Sequence, residues 1–178
     1  MRENEFTVNV KRLEDGPVTL KINCSPETLD LVDPEYTFTT ITGEIEFLRA
    51  LPRVVTRGTL TTEAVTQCVR CLNEARLQVA APVTAIYENE KSIRETRNEI
   101  VSPEEQIVTP FNGDWIQPED ELRECILLEL PTLPVCSPDC KGLCPHCGAN
   151  LNHEQCTCAD TDVDLSPWKD ALKDLKLE

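Results

Sequence analysis

Aromatic side chains are scarce in this chain, at 4% of residues. Its interior must therefore rest on Val, Ile and Leu, and a bound metal would add stabilisation that such a modest core lacks. No run of eighteen apolar residues exists, so no membrane-spanning helix is predicted. The opening Met1-Arg2-Glu3-Asn4-Glu5-Phe6 lacks the apolar or Arg/Ser-rich stretch of a secretory or transit peptide. The expectation is a protein that stays where it is made, in a reducing compartment such as the cytoplasm. Bases are also in short supply, 17 Lys and Arg against 32 Asp and Glu, for a net charge of −15. Such an anion repels bare nucleic acid, whose affinity comes mainly from phosphate neutralisation. The charge suits solubility, or attraction to a basic protein.

Catalytic constellations are missing as well. Acid pairs such as Glu104/Glu105 fall in a polar stretch with no pocket to shift their titration, and are read as solvated. Cys140-x3-Cys144-x2-Cys147 copies the spacing of a radical-SAM cluster motif, but too little chain follows it for the barrel that chemistry needs. Cys68-x-x-Cys71 lies between strands rather than at the start of a helix, against a thiol redox role. The chain is read as not an enzyme.

What is present is a set of period-two segments. Phe6, Val8 and Val10 alternate, as do Val18, Leu20 and Ile22, then Ile41, Ile45 and Phe47, then Leu60 and Ala64 among threonines. The longest set is Leu77, Val79, Ala81, Val83, Ala85 and Tyr87. The fold class expected is α+β: a mostly antiparallel, curled or barrel-like sheet, two short helices and a C-terminal cysteine-rich zinc-binding module. A β-rich domain would cover 1–135, with a charged loop at 88–105 and a helix at 118–130 opened by Pro118 and its following acids. The module would cover 136–178 and close with a helix from Ser166-Pro167 bearing Trp168, Leu172 and Leu175. Residues 58–67 and 75–87 should form a hairpin with Cys68 and Cys71 at its tip.

Ten cysteines stand at 24, 68, 71, 125, 136, 140, 144, 147, 156 and 158. Without a leader they point away from disulfides, and the close pairs suit metal. Two thiolates on one tight turn can face a single ion at about 2.3 Å, and two such turns complete a tetrahedron. Cys144-Pro145-His146-Cys147-Gly148 with Cys156-Thr157-Cys158 is the sharpest signal, and makes Cys144, Cys147, Cys156 and Cys158 one site. Cys68, Cys71, Cys136 and Cys140 then form another, clipping the hairpin tip to the module. A competing arrangement joins Cys136, Cys140, Cys144 and Cys147 and leaves Cys68 and Cys71 to the Cys156/Cys158 pair. The cofactor expected is Zn²⁺, two structural ions, although four thiolates accept iron too. Cys125 is read as helix packing, Cys24 as a strand end with no cysteine near it in the sequence, and His146 and His153 as exposed.

Several strings resemble a known family: Cys68-Val69-Arg70-Cys71-Leu72, Glu124-Cys125-Ile126-Leu127-Leu128-Glu129-Leu130-Pro131, Leu133-Pro134-Val135-Cys136, and Asp139-Cys140-Lys141-Gly142-Leu143-Cys144-Pro145-His146-Cys147-Gly148. Asn150-Leu151-Asn152 and Pro167-Trp168 with Ala171-Leu172-Lys173-Asp174-Leu175 continue the match. Together they are similar to the YceD-like proteins, the large ribosomal RNA subunit accumulation family of bacteria and chloroplasts, over roughly residues 38–177. The charged stretch at 88–105 and Ser166-Pro167, where that family usually has Asp-Pro, depart from it. The resemblance implies a non-catalytic role in 23S ribosomal RNA accumulation or processing, hence large-subunit biogenesis. Its implied partners are a large-subunit assembly intermediate or a basic ribosomal protein, and its implied place is the bacterial cytoplasm, or the chloroplast stroma for a mature plastid form. RNA or partner contact would fall to Arg49, Arg53, Arg57, Arg70 and Arg76, the bases of the one segment where cations outnumber acids. An acidic zinc-dependent adaptor for a basic non-ribosomal protein is the alternative.

Overall fold

In the computed structural model, residues 6–96 and 108–158 are described. The elements run β1 (Val8–Asn9), a 3-10 turn (Val10–Glu14), β2 (Val18–Cys24), a second 3-10 turn (Pro26–Leu29), β3 (Thr37–Phe38), β4 (Ile41–Ala50), β5 (Arg53–Gln67) and β6 (Glu74–Asn89). Then come α1 (Glu90–Thr96), β7 (Thr109–Phe111), β8 (Trp115–Ile116) and α2 (Glu119–Leu128). Six strands form one sheet, ordered β2-β4-β5-β6-β7 with β3 on β5, while β1 and β8 pair separately. All pairings are antiparallel except β6 with β7.

The β5–β6 hairpin carries the architecture. Its register sets Val54 opposite Tyr87, Leu60 opposite Ala81 and Ala64 opposite Leu77. Even positions of β5 and odd positions of β6 therefore share a face, joined by Ile41, Ile45 and Phe47 of β4. Leu122 and Ile126 of α2, with Leu29 and Leu31, cover that face and close the main core. Opposite positions, such as Thr42, Thr59, Thr61 and Thr84, are exposed.

The sheet is not closed into a barrel, contrary to the curled or barrel-like expectation. Its far edge is blunted: Pro82 of β6 has no N–H to offer, and the Thr84 N–H donates to the Cys125 sulfur of α2. The charged 88–105 loop also needs correction. Glu88 and Asn89 end β6, and residues 90–96 form α1, begun by Asn89 Oδ1 accepting from the Lys91 N–H at 3.0 Å. Residues 97–105 lie outside the described residues, as does the terminal helix expected from Ser166-Pro167. Val10, expected to extend the first strand, starts a 3-10 turn instead, because Asn9 Oδ1 accepts from the Lys11 N–H at 2.9 Å and turns the chain. The helix expected at 118–130 is α2 with Pro118 at its cap, and its last turn tightens where Glu129 and Leu130 N–H groups bond Ile126 and Leu127 carbonyls. No helix among the described residues is long and apolar enough to cross a membrane.

Candidate metal centres

The hairpin tip, residues 68–73, is a tight knuckle. The Leu72 N–H bonds the Cys68 carbonyl at 2.9 Å, and the Cys68 N–H bonds the Asn73 carbonyl at 2.8 Å. Residues 144–149 repeat the pattern: Gly148 N–H to Cys144 carbonyl at 2.9 Å, and Cys144 N–H to Ala149 carbonyl at 2.8 Å. In both, the residue after the second cysteine turns left-handed, Gly148 at φ 73° and Leu72 at φ 61°. Glycine takes that conformation freely, whereas a leucine loses about 1–2 kcal/mol there. Nothing in the sequence marks Leu72 as unusual except its place in a second copy of the knuckle.

Backbone bonds join the knuckles. The Val69 N–H reaches the Pro134 carbonyl at 2.9 Å, and the Leu143 N–H reaches the Arg70 carbonyl at 3.1 Å. Gly142, at φ 77°, lies so close to Arg70 that an added Cβ would stand 3.1 Å from the Arg70 carbonyl oxygen. These contacts bring Cys136 and Cys140 to Cys68 and Cys71.

The sulfurs gather in two quartets, Cys68/Cys71/Cys136/Cys140 and Cys144/Cys147/Cys156/Cys158, each with its ligand atoms within 4.8 Å of one another. In the first quartet Cys68 and Cys140 sulfurs are 3.9 Å apart and Cys71 and Cys136 sulfurs 3.5 Å apart. In the second, Cys147 and Cys156 stand at 3.5 Å and Cys144 and Cys156 at 3.3 Å. A zinc ion with four sulfurs at about 2.3 Å spaces them at about 3.8 Å, so either quartet could hold such an ion after shifts of about 1 Å or less. The competing grouping, with Cys136, Cys140, Cys144 and Cys147 together, is not the one the sulfurs adopt. Cys24 is buried at the end of β2, Cys125 packs partly against the main core, and His146 and His153 are exposed.

The environment favours thiolate at selected sulfurs. Burial pushes the Cys68 thiol up, but backbone N–H groups of Cys136, Cys71 and Arg70 outweigh it and hold the thiol at about 6. The Cys147 and His146 backbone N–H groups hold Cys144 at about 6. The Asn152 amide, 3.4 Å from the Cys140 sulfur, lowers that thiol against its burial. Asn152 is a residue that cysteine spacing alone cannot reveal, and its Oδ1 also accepts from the Lys141 N–H at 2.7 Å. Cys136 and Cys156 are pushed up to about 12, chiefly by their bonded neighbours Cys71 and Cys144. Cys68, Cys71 and Cys140 of the first quartet, with Ala75, Val135 and Leu143, form a small core of their own apart from the main one.

Residues 56–176, more than half the chain, match the family described as large ribosomal RNA subunit accumulation protein YceD. The chain belongs to that family. An uncharacterized protein of Mycobacterium tuberculosis is 35% identical over 101 residues, 57% of this chain and 46% of its own length. Another from Mycobacterium leprae is 30% identical over 122 residues, 68% of this chain and 52% of its own. A Zea mays protein named as a chloroplastic large ribosomal RNA subunit accumulation protein YCED homolog is 50% identical over 54 residues, 29% of this chain and 18% of its own. The chain thus spans about half the length of the mycobacterial relatives it matches. No solved structure matches it.

Three of the five arginines already have carboxylate partners within the chain. Arg49 pairs with Glu14 at 2.8 Å, Arg76 with Glu74 at 2.8 Å and Glu63 at 3.1 Å, and Arg53 with Glu88 at 2.9 Å. Arg57 is exposed on the outer face and Arg70 on the knuckle, neither in an ion pair among the described residues. Glu88, only 5% exposed, also accepts from the Ser92 hydroxyl at 2.9 Å. Replacing Arg53 by Ala is expected to destabilise the protein by about 1–3 kcal/mol, because a buried carboxylate loses its cation. Arg57→Ala should stay within about 0.5 kcal/mol of the wild type. Urea unfolding compares the two, and equal midpoints would contradict the buried pairing.

Proposed function

We propose that this protein is a non-catalytic factor for large ribosomal subunit biogenesis, supporting accumulation or processing of 23S ribosomal RNA, with two structural zinc ions. The observation that carries the reading is the family match over residues 56–176, which encloses both cysteine quartets. Cys68, Cys71, Cys136 and Cys140 would hold one ion, and Cys144, Cys147, Cys156 and Cys158 the other. A bound ion would supply cross-linking, since four sulfurs leave no open position for water or substrate. The chain's own part is to fix the sulfurs through its knuckles and to aim backbone N–H groups and Asn152 at them.

The net charge of −15 favours a basic ribosomal protein, or an assembly intermediate displaying one, over bare RNA as the surface it meets. Intramolecular pairing of Arg49, Arg53 and Arg76 points the same way, since these cations already have carboxylate partners. The reading places its action where bacterial-type ribosomes assemble, in the cytoplasm or the stroma. Depletion is expected to lower the ratio of large- to small-subunit ribosomal RNA and the large-subunit peak in sucrose gradients. An unchanged ratio and profile would overturn the reading. Should immobilised protein retain a basic protein foreign to the ribosome instead, the adaptor alternative takes its place.

A further inference from the structure

The knuckle at residues 68–73 is enclosed on its backbone sides and open at its side chains. Val69 bonds Pro134 and Arg70 bonds Leu143 through main-chain atoms. Yet Leu72 is 54% exposed, Val69 48% and Leu133, next to Pro134, 71%. Three large aliphatic residues therefore stand in solvent around one turn, beside a cysteine quartet of which Cys68, Cys71 and Cys140 are buried.

Leu72 is the telling member. Its left-handed backbone, φ 61°, would suit glycine, and Gly148 occupies the equivalent place in the other knuckle at φ 73°. A strained leucine is ordinarily offset by burial, but this one contributes little to either core. Its side chain gains most by burial against another molecule.

Charge identifies the partner. The chain carries −15, and each quartet holding a divalent ion with four thiolates would add about −2 near this surface. Arg70 and Lys141 lie at the same end, and such centres would outweigh them. We propose that Val69, Leu72 and Leu133 form a docking surface for an apolar anchor on a cationic protein, Leu72 being its central contact. The proposal rests on the biogenesis reading, since it names the kind of ribosomal component met.

The test exploits the strain. Full-length, metal-loaded protein is immobilised and challenged with the purified total protein of the large ribosomal subunit, and retained proteins are identified by mass spectrometry. The wild type is expected to hold one or a few basic proteins, and Leu72→Gly to weaken that retention about tenfold or more. Because glycine relieves the backbone, L72G should keep its metal content and melt at or above the wild-type temperature. Val69→Ser should also weaken retention, and Thr59→Ala, on the outer sheet face, should leave it unchanged. Equal retention by L72G, or no retention by the wild type, would overturn the proposal. So would labelled ribosomal RNA as the species lost in L72G, or a wild-type dimer that L72G converts to monomer. Complementation separates the two levels. If depletion leaves ribosomal RNA unchanged, the biogenesis reading fails; if depletion lowers it and L72G restores it fully, only the docking surface fails.

Discussion

Replacing Cys140 by Ser is expected to lower the metal-to-chain ratio from two to one and to release residues 132–152 while the sheet stays folded. Cys140 is buried, 3.9 Å from Cys68 through sulfur, and held by the Asn152 amide. Structural zinc contributes an apparent 10–16 kcal/mol in small knuckle peptides, about as much as a whole domain's stability. What remains around this quartet without the ion is a small core of Cys68, Cys71, Ala75, Val135 and Leu143. That core cannot replace a loss of this size. The main core contains none of the quartet, and the β4–β5–β6 pairings are independent of it. Amide exchange should therefore become fast at Val69, Cys140 and Leu143, whose N–H groups bond Pro134, Ser137 and Arg70, yet remain slow at Phe47 and Leu60. A variant that still binds two ions, or exchanges like the wild type, would refute metal anchoring at this quartet.

Such a division was partly readable in the chain. Alternation from Leu77 to Tyr87 marked β6 because every second residue faces the main core, and that period survives any tertiary context. Cysteine spacing marked the knuckles because a four-residue turn is local. Where partners are distant, the same logic fails. Glu88 looked like the start of a solvated charged run, yet Arg53, brought opposite by the hairpin register, and Ser92 bury it. Arg49 and Arg76 looked free for a partner until the fold supplied Glu14 and Glu63. Openness of the sheet was equally hidden, since period two describes faces and says nothing about edges. Pro82 was the available sign, and it acquires meaning only once Thr84 is seen to spend its N–H on Cys125. Leu72 was obscured for another reason: its left-handed turn is announced by glycine in the Cys144 knuckle and disguised by a bulky residue here.

Gly58→Ala is expected to destabilise the protein by about 3 kcal/mol or more, against the direction that propensity suggests. Alanine is the better strand residue, and a tolerated Gly→Ala change usually stabilises by about 0.4–1 kcal/mol through the unfolded chain. Gly58, however, sits opposite Ile45 in the β4–β5 pairing, where an added Cβ would collide with the Glu44 carbonyl oxygen and stand 2.8 Å from the Ile45 Cα. Gly43, opposite Leu60 on the same face, would meet the Thr59 carbonyl oxygen in the same way. The obstacles are main chain, so no rotamer change relieves them, and the strands must separate at the centre of the sheet. Separation there removes cover from Ile41, Ile45, Phe47 and Leu60, all fully buried. Urea unfolding should show a lower midpoint for Gly58→Ala and for Gly43→Ala, with two ions per chain retained below the transition in both. That combination separates a sheet defect from a metal defect, because the quartets lie beyond the far end of the hairpin from Gly58. A Gly58→Ala protein as stable as the wild type would mean that β4 and β5 are not packed this closely.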